Sequence, residues 1–174
     1  MQGPVRVTIY RAPQCDPRKC SALKLGRHSF ARIVSQLRFV PKRAVVLNPL
    51  SDMAFSPEDK ERLENFGLAA LDCSWEHIEI FRKHVRGTSR CLPFLIAGNP
   101  VNFGKPTKLT TAEALSAALY IAGFKEQSEE LLSIFTWGHT FQELNHERLE
   151  CYAHAKNSGE IVILQRQFMD NTKN

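Results

Sequence analysis

Three segments place polar side chains at or shortly after the end of an apolar run, where a parallel sheet would present them to a ligand. They are CDPRKCSA (15–22), LDCSWE (71–76) and GNPVNFGKPTKLTT (98–111). The run before each segment predicts a β-strand, and open α/β sheets bind ligands outside the carboxyl ends of their strands. The sequence therefore predicts that these segments meet in one crevice.

Asp72 is the candidate carboxylate of this crevice. A carboxylate at a strand end can bind a cationic group or act as a general base, but it can equally cap the following helix, and the residues leave both interpretations open. Trp75 could pack on a ligand, although such a tryptophan more often belongs to the core. The amides of a helix beginning at Thr110 and Thr111 suit a carboxylate or a phosphate.

The cysteines favour neither a disulfide framework nor a metal site. Their number is odd and their spacing irregular, which predicts reduced thiols in a cytosolic protein. Cys15 and Cys20 are too far apart for a Cys-x-x-Cys pair, and no His pair completes a zinc set. Cys73 as a nucleophile would need a histidine, for which His77 is the nearest candidate. We therefore expect no metal.

Composition is that of a globular protein. Of the 174 residues 43% are hydrophobic and 24% charged, which suits one globular unit or two small lobes. No apolar run approaches the roughly 18 residues of a membrane span, and the N-terminus lacks the apolar stretch of a signal peptide. Neither a dinucleotide-binding fingerprint nor a Walker loop is present. A cytoplasmic protein without a membrane partner is expected.

The positive charge is concentrated in residues 1–43, the basic region. This region contains ten Lys or Arg and one acidic residue, while the rest contains 13 basic and 17 acidic residues. Such an asymmetry is typical of a face that binds a polyanion, although a solvated surface without a partner is the alternative. We favour a nucleic-acid partner.

Four apolar runs predict strands, at 5–10, 44–48, 67–72 and 92–97. Helices are predicted between them: from Asp16-Pro17 through the twenties and thirties, from Ser56 to about Gly67, and from Ser74 into the low eighties. Strands that alternate with helices predict a mainly parallel sheet with helices on its faces.

Beyond residue 97 the pattern predicts helices alone. Thr110 and Glu113 form a capping box that begins a helix running to about residue 122, where Gly123 ends it. Further helices are predicted at 126–135, 139–155 and 161–168. The chain is therefore predicted to have an α/β part, residues 1–97, and an all-helical part, residues 98–174.

Four segments together resemble a known family. In order they are CDPRKCSALKL, GLAALDCSWE, LPFLIAGNPVNFGKPTKLTTAEALSAALYIAGF and FTWGHTFQELN. Their order and spacing resemble the archaeal and eukaryotic rRNA aminocarboxypropyltransferases, ribosome maturation factors related to the knotted SPOUT methyltransferases. The resemblance covers residues 5–155. It implies an α/β fold in which a SPOUT-like parallel-sheet N-terminal lobe with a deep trefoil knot precedes an all-α C-terminal lobe, although general topology rules disfavour knots.

The resemblance also implies an activity. S-adenosylmethionine would be the cofactor and small-subunit rRNA, in the pre-ribosomal small subunit, the partner. The enzyme would transfer the 3-amino-3-carboxypropyl group to ring nitrogen 3 of a pseudouridine that is usually already N1-methylated, and methylthioadenosine would leave. A monomer is implied.

Site residues follow from the matched motifs. Cofactor contacts are implied for Ser21, Leu71, Leu92, Thr107 and Thr111. Asp72 would face the cofactor's amino group or the entering base, as the candidate general base, and Trp75 would enclose the methyl group. Expected RNA contacts in the basic region are Arg11, Arg18, Lys19, Arg27 and Arg32. Phe103 and Thr107 stand where the family often has aromatic residues, tyrosine in the case of Phe103.

Two other functions remain open. One is a SPOUT rRNA methyltransferase with the same cofactor, and the other is a non-catalytic RNA-binding assembly factor. The small-molecule product separates them, because methyl transfer releases S-adenosylhomocysteine.

Overall fold

The structure, a computed structural model, describes residues 3–13, 20–72 and 86–172. The strands in these ranges are β1 (Val7–Arg11), β2 (Arg32–Val34), β3 (Val45–Leu47), β4 (Leu68–Asp72) and β5 (Thr88–Arg90). The helices are α1 (Ser21–Arg27), α2 (Lys60–Phe66), α3 (Thr111–Ile121), α4 (Lys125–Ser133), α5 (Gly138–Ala153) and α6 (Ser158–Asn171). Short 3₁₀ turns lie at Leu37–Phe39 and Pro57–Asp59.

The strands form one parallel sheet in the order β2-β1-β4-β3-β5. The predicted α/β class with a parallel sheet is confirmed. From β1 the chain continues to β2 on one side of the sheet, and from β4 it continues to β5 on the other. The neighbouring strands β1 and β4 therefore mark the point where the strand order reverses, which is where open α/β sheets place their ligand crevice.

One hydrophobic core joins the sheet to the C-terminal helices. It contains Ile9 and Leu68 from the sheet, Leu119 from α3, Tyr152 from α5 and Ile161 from α6, each at most 1% exposed. Helix α3 contacts α1, β4, α4 and α5. Buried residues before and after residue 97 thus share one core, and the division of the chain at that residue stays a prediction.

Several of the helix ends that local signals predicted are confirmed. Gly67 caps α2 with φ of +84°, and a Cβ there would lie 2.5 Å from the Arg6 carbonyl oxygen. Gly123, with φ of +91°, follows α3. Thr110 and Glu113 form the predicted capping box of α3. The helices predicted at 126–135, 139–155 and 161–168 are observed as α4, α5 and α6.

The strand predicted at 92–97 is wrong, because the fifth strand is β5 at Thr88–Arg90. Side chains from the helices, together with the backbone of residues 104–107, bind the backbone of this segment in place of a strand of the sheet. The Ile96 N–H donates to Asn145 Oδ1 at 2.8 Å, and Asn145 Nδ2 donates to the Ile96 carbonyl at 2.7 Å. The Phe94 carbonyl accepts a 2.9 Å bond from the Tyr152 hydroxyl. An apolar run predicts that a segment is buried, but it does not reveal which groups form hydrogen bonds with the backbone of that segment.

The helix predicted through the thirties is also wrong. Helix α1 ends at Arg27, and the chain turns at Ser29, whose φ is +62°. Residues Arg32–Val34 form the edge strand β2, where the β-branched Ile33 and Val34 suit a pleated surface. Gly26 permits this return, because a Cβ there would lie 2.7 Å from Ile33 Cγ1. The caps expected at Asp16 and Ser74 lie outside the described residues.

Candidate functional site

The candidate site lies at the carboxyl ends of β1 and β4. Arg11 and Asp72 are paired in register as the last residues of these strands. The Ala12 N–H donates to the Asp72 carbonyl at 2.9 Å, which extends the ladder by one bond. The half-buried Asp72 carboxylate is therefore fixed at the point where the strand order reverses.

Within the described part of the chain, two hydrogen bonds hold the Asp72 carboxylate. The Thr111 hydroxyl donates to Oδ1 at 3.2 Å, and the Cys20 thiol donates to Oδ2 at 3.3 Å. Thr111 is the first residue of α3, and Cys20 is the N-cap of α1. The two bonds thus bring the beginnings of α1 and α3 against the end of β4. Each carboxylate oxygen accepts one of these bonds and retains capacity for another donor.

Three of the predicted site residues are brought together here. Asp72 and Thr111 are in direct contact, and Ser21 follows Cys20 as the first residue of α1. The first-turn amides of a helix have no partner within the helix, and in α3 the Thr110 hydroxyl accepts from one of them, the Glu113 N–H, at 3.2 Å. The alternative role of Asp72 as a helix cap concerns residues 73–85, which lie outside the described part of the chain, as does Trp75.

Leu71 and Leu92 lie on different faces of the sheet. Leu92 packs against the main core, whereas Leu71 packs against a smaller cluster that includes Val46 and Ala69. Because successive strand residues point to opposite faces, the Leu71 side chain points away from Asp72. A contact from Leu71 to a ligand beside Asp72 would therefore come from its backbone.

The loop before α3 forms a compact hairpin over residues 95–107, the 95–107 hairpin. Ile96 and Pro106 make an antiparallel bridge. The Ala97 N–H donates to the Lys105 carbonyl at 3.0 Å, and the Thr107 N–H donates to the Leu95 carbonyl at 2.8 Å. The Thr107 amide is thus already engaged, so a ligand contact from this residue must use its other polar atoms. The cofactor roles of Leu92 and Thr107 stay predictions.

Glu113 fixes the base of this hairpin. The side chain is fully buried, and Oε1 accepts from the N–H groups of Gly98 and Asn99 at 2.8 and 2.9 Å. Oε2 accepts from the Asn99 side-chain amide at 2.8 Å, and from the N–H and hydroxyl of Thr110 at 2.7 and 3.0 Å. From the sequence only the capping bonds between Glu113 and Thr110 could be predicted. The bonds from Gly98 and Asn99 could not, because no local signal places these residues against a glutamate 14 or 15 positions later.

Helix α5 supports the same hairpin from the other side. A Cβ at Gly98 would lie 2.6 Å from the backbone N and Cα of Phe141, so only glycine permits this approach. One helical turn further on, the Asn145 amide binds both polar backbone groups of Ile96. The segment that leads into Thr111 and Asp72 is therefore held by α3 and α5 together.

The predicted RNA contacts are distributed around α1 and the sheet edge. Arg27 in the last turn of α1 and Arg32 in the edge strand β2 are exposed, and Arg11 is half-buried at the end of β1. Arg18 and Lys19 lie outside the described residues.

Within the described ranges, His, Cys, Asp and Glu side chains form no group of three that could hold a metal ion. The same residues contain no helix with the length and apolar character that a membrane span needs.

Two family models match the chain. Residues 45–169 match a model described as ribosome biogenesis protein, C-terminal. Residues 5–36 match one described as a possible Fer4-like domain in RNase L inhibitor. Iron–sulfur clusters of the ferredoxin type are usually held by four thiolates, and Cys15 and Cys20 are the cysteines of that segment.

The chain is similar to proteins named 16S rRNA aminocarboxypropyltransferase. The one from Methanocaldococcus jannaschii is 47% identical over 165 residues, which cover 94% of this chain and 96% of the relative. The one from Methanosarcina acetivorans is 46% identical, with 95% of each chain covered. The solved structure of the SAM-dependent rRNA:acp-transferase Tsr3 from Vulcanisaeta distributa superimposes with a TM-score of 0.84 at 40% identity, covering 95% of this chain and 96% of that one.

Proposed function

This chain belongs to the family of the 16S rRNA aminocarboxypropyltransferases, and on this premise we propose that it transfers the 3-amino-3-carboxypropyl group of S-adenosylmethionine to small-subunit rRNA. The observation that carries this assignment is the similarity over nearly the full length of both chains, at an identity well above that needed to infer a shared fold. The protein is an S-adenosylmethionine-dependent rRNA-modifying transferase that acts in ribosome biogenesis.

The proposal also names the atom of the rRNA that accepts the group. We assign the transfer to ring nitrogen 3 of a pseudouridine that already carries an N1-methyl group, with methylthioadenosine as the leaving product. The family resemblance of the LDCSW and LPFLIAGNPVNFGKP segments supports this assignment.

The residues around Asp72 fit the amino-acid end of S-adenosylmethionine. The cofactor carries an α-ammonium and an α-carboxylate, which need an anionic partner and a set of hydrogen-bond donors. The Asp72 carboxylate suits the ammonium, and the amides of Thr111 and Ala112 at the beginning of α3 suit the carboxylate. When bound, the cofactor supplies a sulfonium whose three attached carbons are all electrophilic. Ser21, Leu71, Leu92, Thr107 and Thr111 are the proposed contact residues.

Asp72 is also the proposed general base. The ring nitrogen of the acceptor must lose its proton as it attacks, and a carboxylate with a remaining lone pair can accept that proton. Thr111 and Cys20 fix the orientation of the carboxylate, so it needs no reorganisation before it receives the proton. Orientation of the ammonium and acceptance of the proton are two roles that one well-held carboxylate can serve in succession.

Selection of one carbon among three is a matter of geometry. We propose that Trp75 encloses the methyl carbon, which leaves the aminocarboxypropyl carbon facing the acceptor. Replacing Trp75 with alanine should then weaken cofactor binding or permit methyl transfer.

Mass spectrometry of the small-molecule product tests the proposed function. The protein is incubated with S-adenosylmethionine and precursor small subunits that lack the modification. Methylthioadenosine is expected. S-adenosylhomocysteine would instead identify a methyltransferase, and the absence of both products with tight RNA binding would identify an assembly factor.

Several further properties belong to the proposal. The deep trefoil knot and a monomeric state rest on the family resemblance, whereas a cytoplasmic location and the division into an α/β part and a helical part at residue 97 rest on the cysteines and on the pattern of predicted helices and strands. The precursor of the small subunit is the proposed partner, contacted by the basic region through Arg11, Arg18, Lys19, Arg27 and Arg32.

A further inference from the structure

The tip of the 95–107 hairpin exposes two large apolar side chains. Val101 is 79% exposed and Phe103 is 60% exposed. Single exposed apolar residues are common on protein surfaces and need no function. A functional contact requires in addition that the side chain is held by a rigid support and that its surroundings fit a particular partner.

The backbone beneath Phe103 is rigidly held. The Asn102 N–H donates to Asn99 Oδ1 at 3.0 Å, and the Gly104 N–H donates to the Ala97 carbonyl at 2.8 Å. The Lys105 N–H closes the tip by donating to the Asn102 carbonyl at 2.9 Å. Together with the Glu113 network at its base, these bonds present Phe103 from an ordered turn. A group presented in this way loses little conformational entropy when it binds.

The segment that contains this tip is positively charged. Residues 86–112 contain four basic residues, Arg86, Arg90, Lys105 and Lys108, and no acidic residue. Arg90 is engaged with Asp59 at 3.0 Å, whereas Lys105 on the hairpin and Lys108 directly after it are exposed. An exposed aromatic ring with cations on the same short segment is the arrangement that proteins use for single-stranded RNA.

We propose that the 95–107 hairpin is an RNA contact separate from the basic region, in which Phe103 stacks on an unpaired base of the rRNA and Lys105 and Lys108 contact neighbouring phosphates. This inference rests on the proposed function as an rRNA enzyme and adds to it a named contact. RNA fits better than a protein partner, because a tip of two apolar side chains offers far less than the roughly 800 Å² per partner of a stable protein interface.

The hairpin also connects this contact to the reaction. From Lys108 the chain passes through Thr110, which is bound to Glu113, to Thr111, which is bound to Asp72. A base held on Phe103 would therefore be placed at a fixed separation from the carboxylate. The hairpin would set which nucleotide of the rRNA reaches the crevice.

Substitutions at Phe103 test the stacking. The affinity for an in vitro 16S rRNA transcript is measured by filter binding for Phe103→Ala, Phe103→Leu and Phe103→Tyr. Stacking on one base predicts about tenfold weaker binding for the alanine and leucine variants, and binding within about twofold of wild type for tyrosine. The matched control is Ile163→Ala, since Ile163 on α6 is 58% exposed and should leave RNA affinity unchanged. S-adenosylmethionine affinity and the thermal midpoint should be unchanged in all four variants.

The leucine variant decides between stacking and simple apolar contact. Wild-type affinity for Phe103→Leu would overturn the stacking, and wild-type affinity for Phe103→Ala would overturn the contact altogether. Because the transcript is free of protein, an affinity loss cannot arise from a protein partner. A loss of RNA affinity would support the contact even if wild type released no methylthioadenosine, so the contact and the proposed function fail separately.

The lysines are tested through the salt dependence of binding. Replacing both Lys105 and Lys108 with alanine should reduce the slope of log affinity against log salt by about 1.4 to 1.8, as expected for two lost phosphate contacts. Lys156→Ala, an exposed lysine between α5 and α6, is the control and should keep the wild-type slope. An unchanged slope in the double variant would overturn the phosphate contacts.

Discussion

At the scale of single residues, Asp72 and Glu113 are two carboxylates with opposite environments. Glu113 is fully buried and accepts five hydrogen bonds, so it has no capacity left for a ligand. Asp72 is half-buried and, counting donors from the described residues, accepts two, one on each oxygen. The first carboxylate therefore organises the backbone around the crevice, and the second is the one that a ligand or a substrate proton can reach.

Asp72→Asn should lower the rate of methylthioadenosine formation by about 10²-fold or more, because an amide neither accepts the proton nor attracts the ammonium. Single-turnover kinetics and calorimetry with S-adenosylmethionine separate the two roles. A lower rate at unchanged cofactor affinity would show that Asp72 acts as the general base. Weaker cofactor binding would show that Asp72 contacts the ammonium group. Cys20→Ser, which keeps a donor to the carboxylate, is the control and should retain most of the rate. If the asparagine variant kept both the wild-type rate and affinity, Asp72 would have neither role.

Glu113→Gln should lower the free energy of unfolding by about 2 to 4 kcal/mol. All five groups that face this side chain are donors, so either orientation of the glutamine amide turns its NH₂ toward other N–H groups. Urea denaturation measures the change, and Glu129→Gln on the exposed face of α4 is the matched control. Equal stability of the two variants would show that the buried network contributes nothing.

At the scale of helices and strands, local signals predicted ends and missed long-range partners. The capping box at Thr110 and the glycine at 123 were correctly predicted, because a cap is decided within one turn of the helix. The segment at 92–97 was wrongly assigned to the sheet, because its partners are residues 104–107 and the Asn145 amide, which lies 49 residues beyond Ile96 along the chain. Nothing in the helical pattern around this asparagine indicates that its side chain will bind a distant backbone in the way that a neighbouring strand would.

The candidate site was likewise predicted only in part. The strand-end position of Asp72 and the helix start at Thr111 were predicted from sequence, and the structure places them in contact. The thiol of Cys20 was missed, since an isolated cysteine before a helix carries no signal for a hydrogen bond to a residue 52 positions away.

The junction of α3, α4 and α5 is centred on Glu150. Lys125 Nζ and the Tyr120 hydroxyl both donate to its Oε1. The bond from Lys125, followed by that from Tyr120, lowers the pKa of Glu150 below its usual range, and the bond to Glu150 raises the pKa of Lys125. A carboxyl group whose pKa is lower in the folded than in the unfolded protein stabilises the fold at pH values above its unfolded pKa. This stabilisation is lost as the pH falls through its folded pKa.

Glu150→Gln should therefore be less stable than wild type at neutral pH, and the difference should shrink as pH falls below about 4. Thermal unfolding between pH 3 and pH 7 measures this convergence. Glu126→Gln on the exposed surface of α4 is the control and should follow the wild-type curve more closely. A difference that stayed constant over this range would contradict the ion pair as its origin.

At the scale of the whole molecule, the two predicted parts depend on one another. The buried face of the sheet, including Ile9 and Leu68, packs in the same cluster as Leu115 and Leu119 of α3. The fragment 1–97 should consequently lack cooperative thermal unfolding and expose apolar surface to a hydrophobic dye. Adding the separate fragment 98–174 should restore part of the cooperative transition. A sharp transition in fragment 1–97 alone would show instead that the sheet folds independently.

The pairing of Gln127 with Val5 has a consequence for the order in which the protein is made. The Gln127 side chain binds both the N–H and the carbonyl of Val5 at 2.8 Å, across 122 positions of sequence. During translation Val5, two residues before the first strand, must wait for a partner that is added 122 residues later. Until then the nascent sheet lacks its covering helices, so this protein should fold late in its own synthesis and depend on chaperones that shield apolar nascent chains.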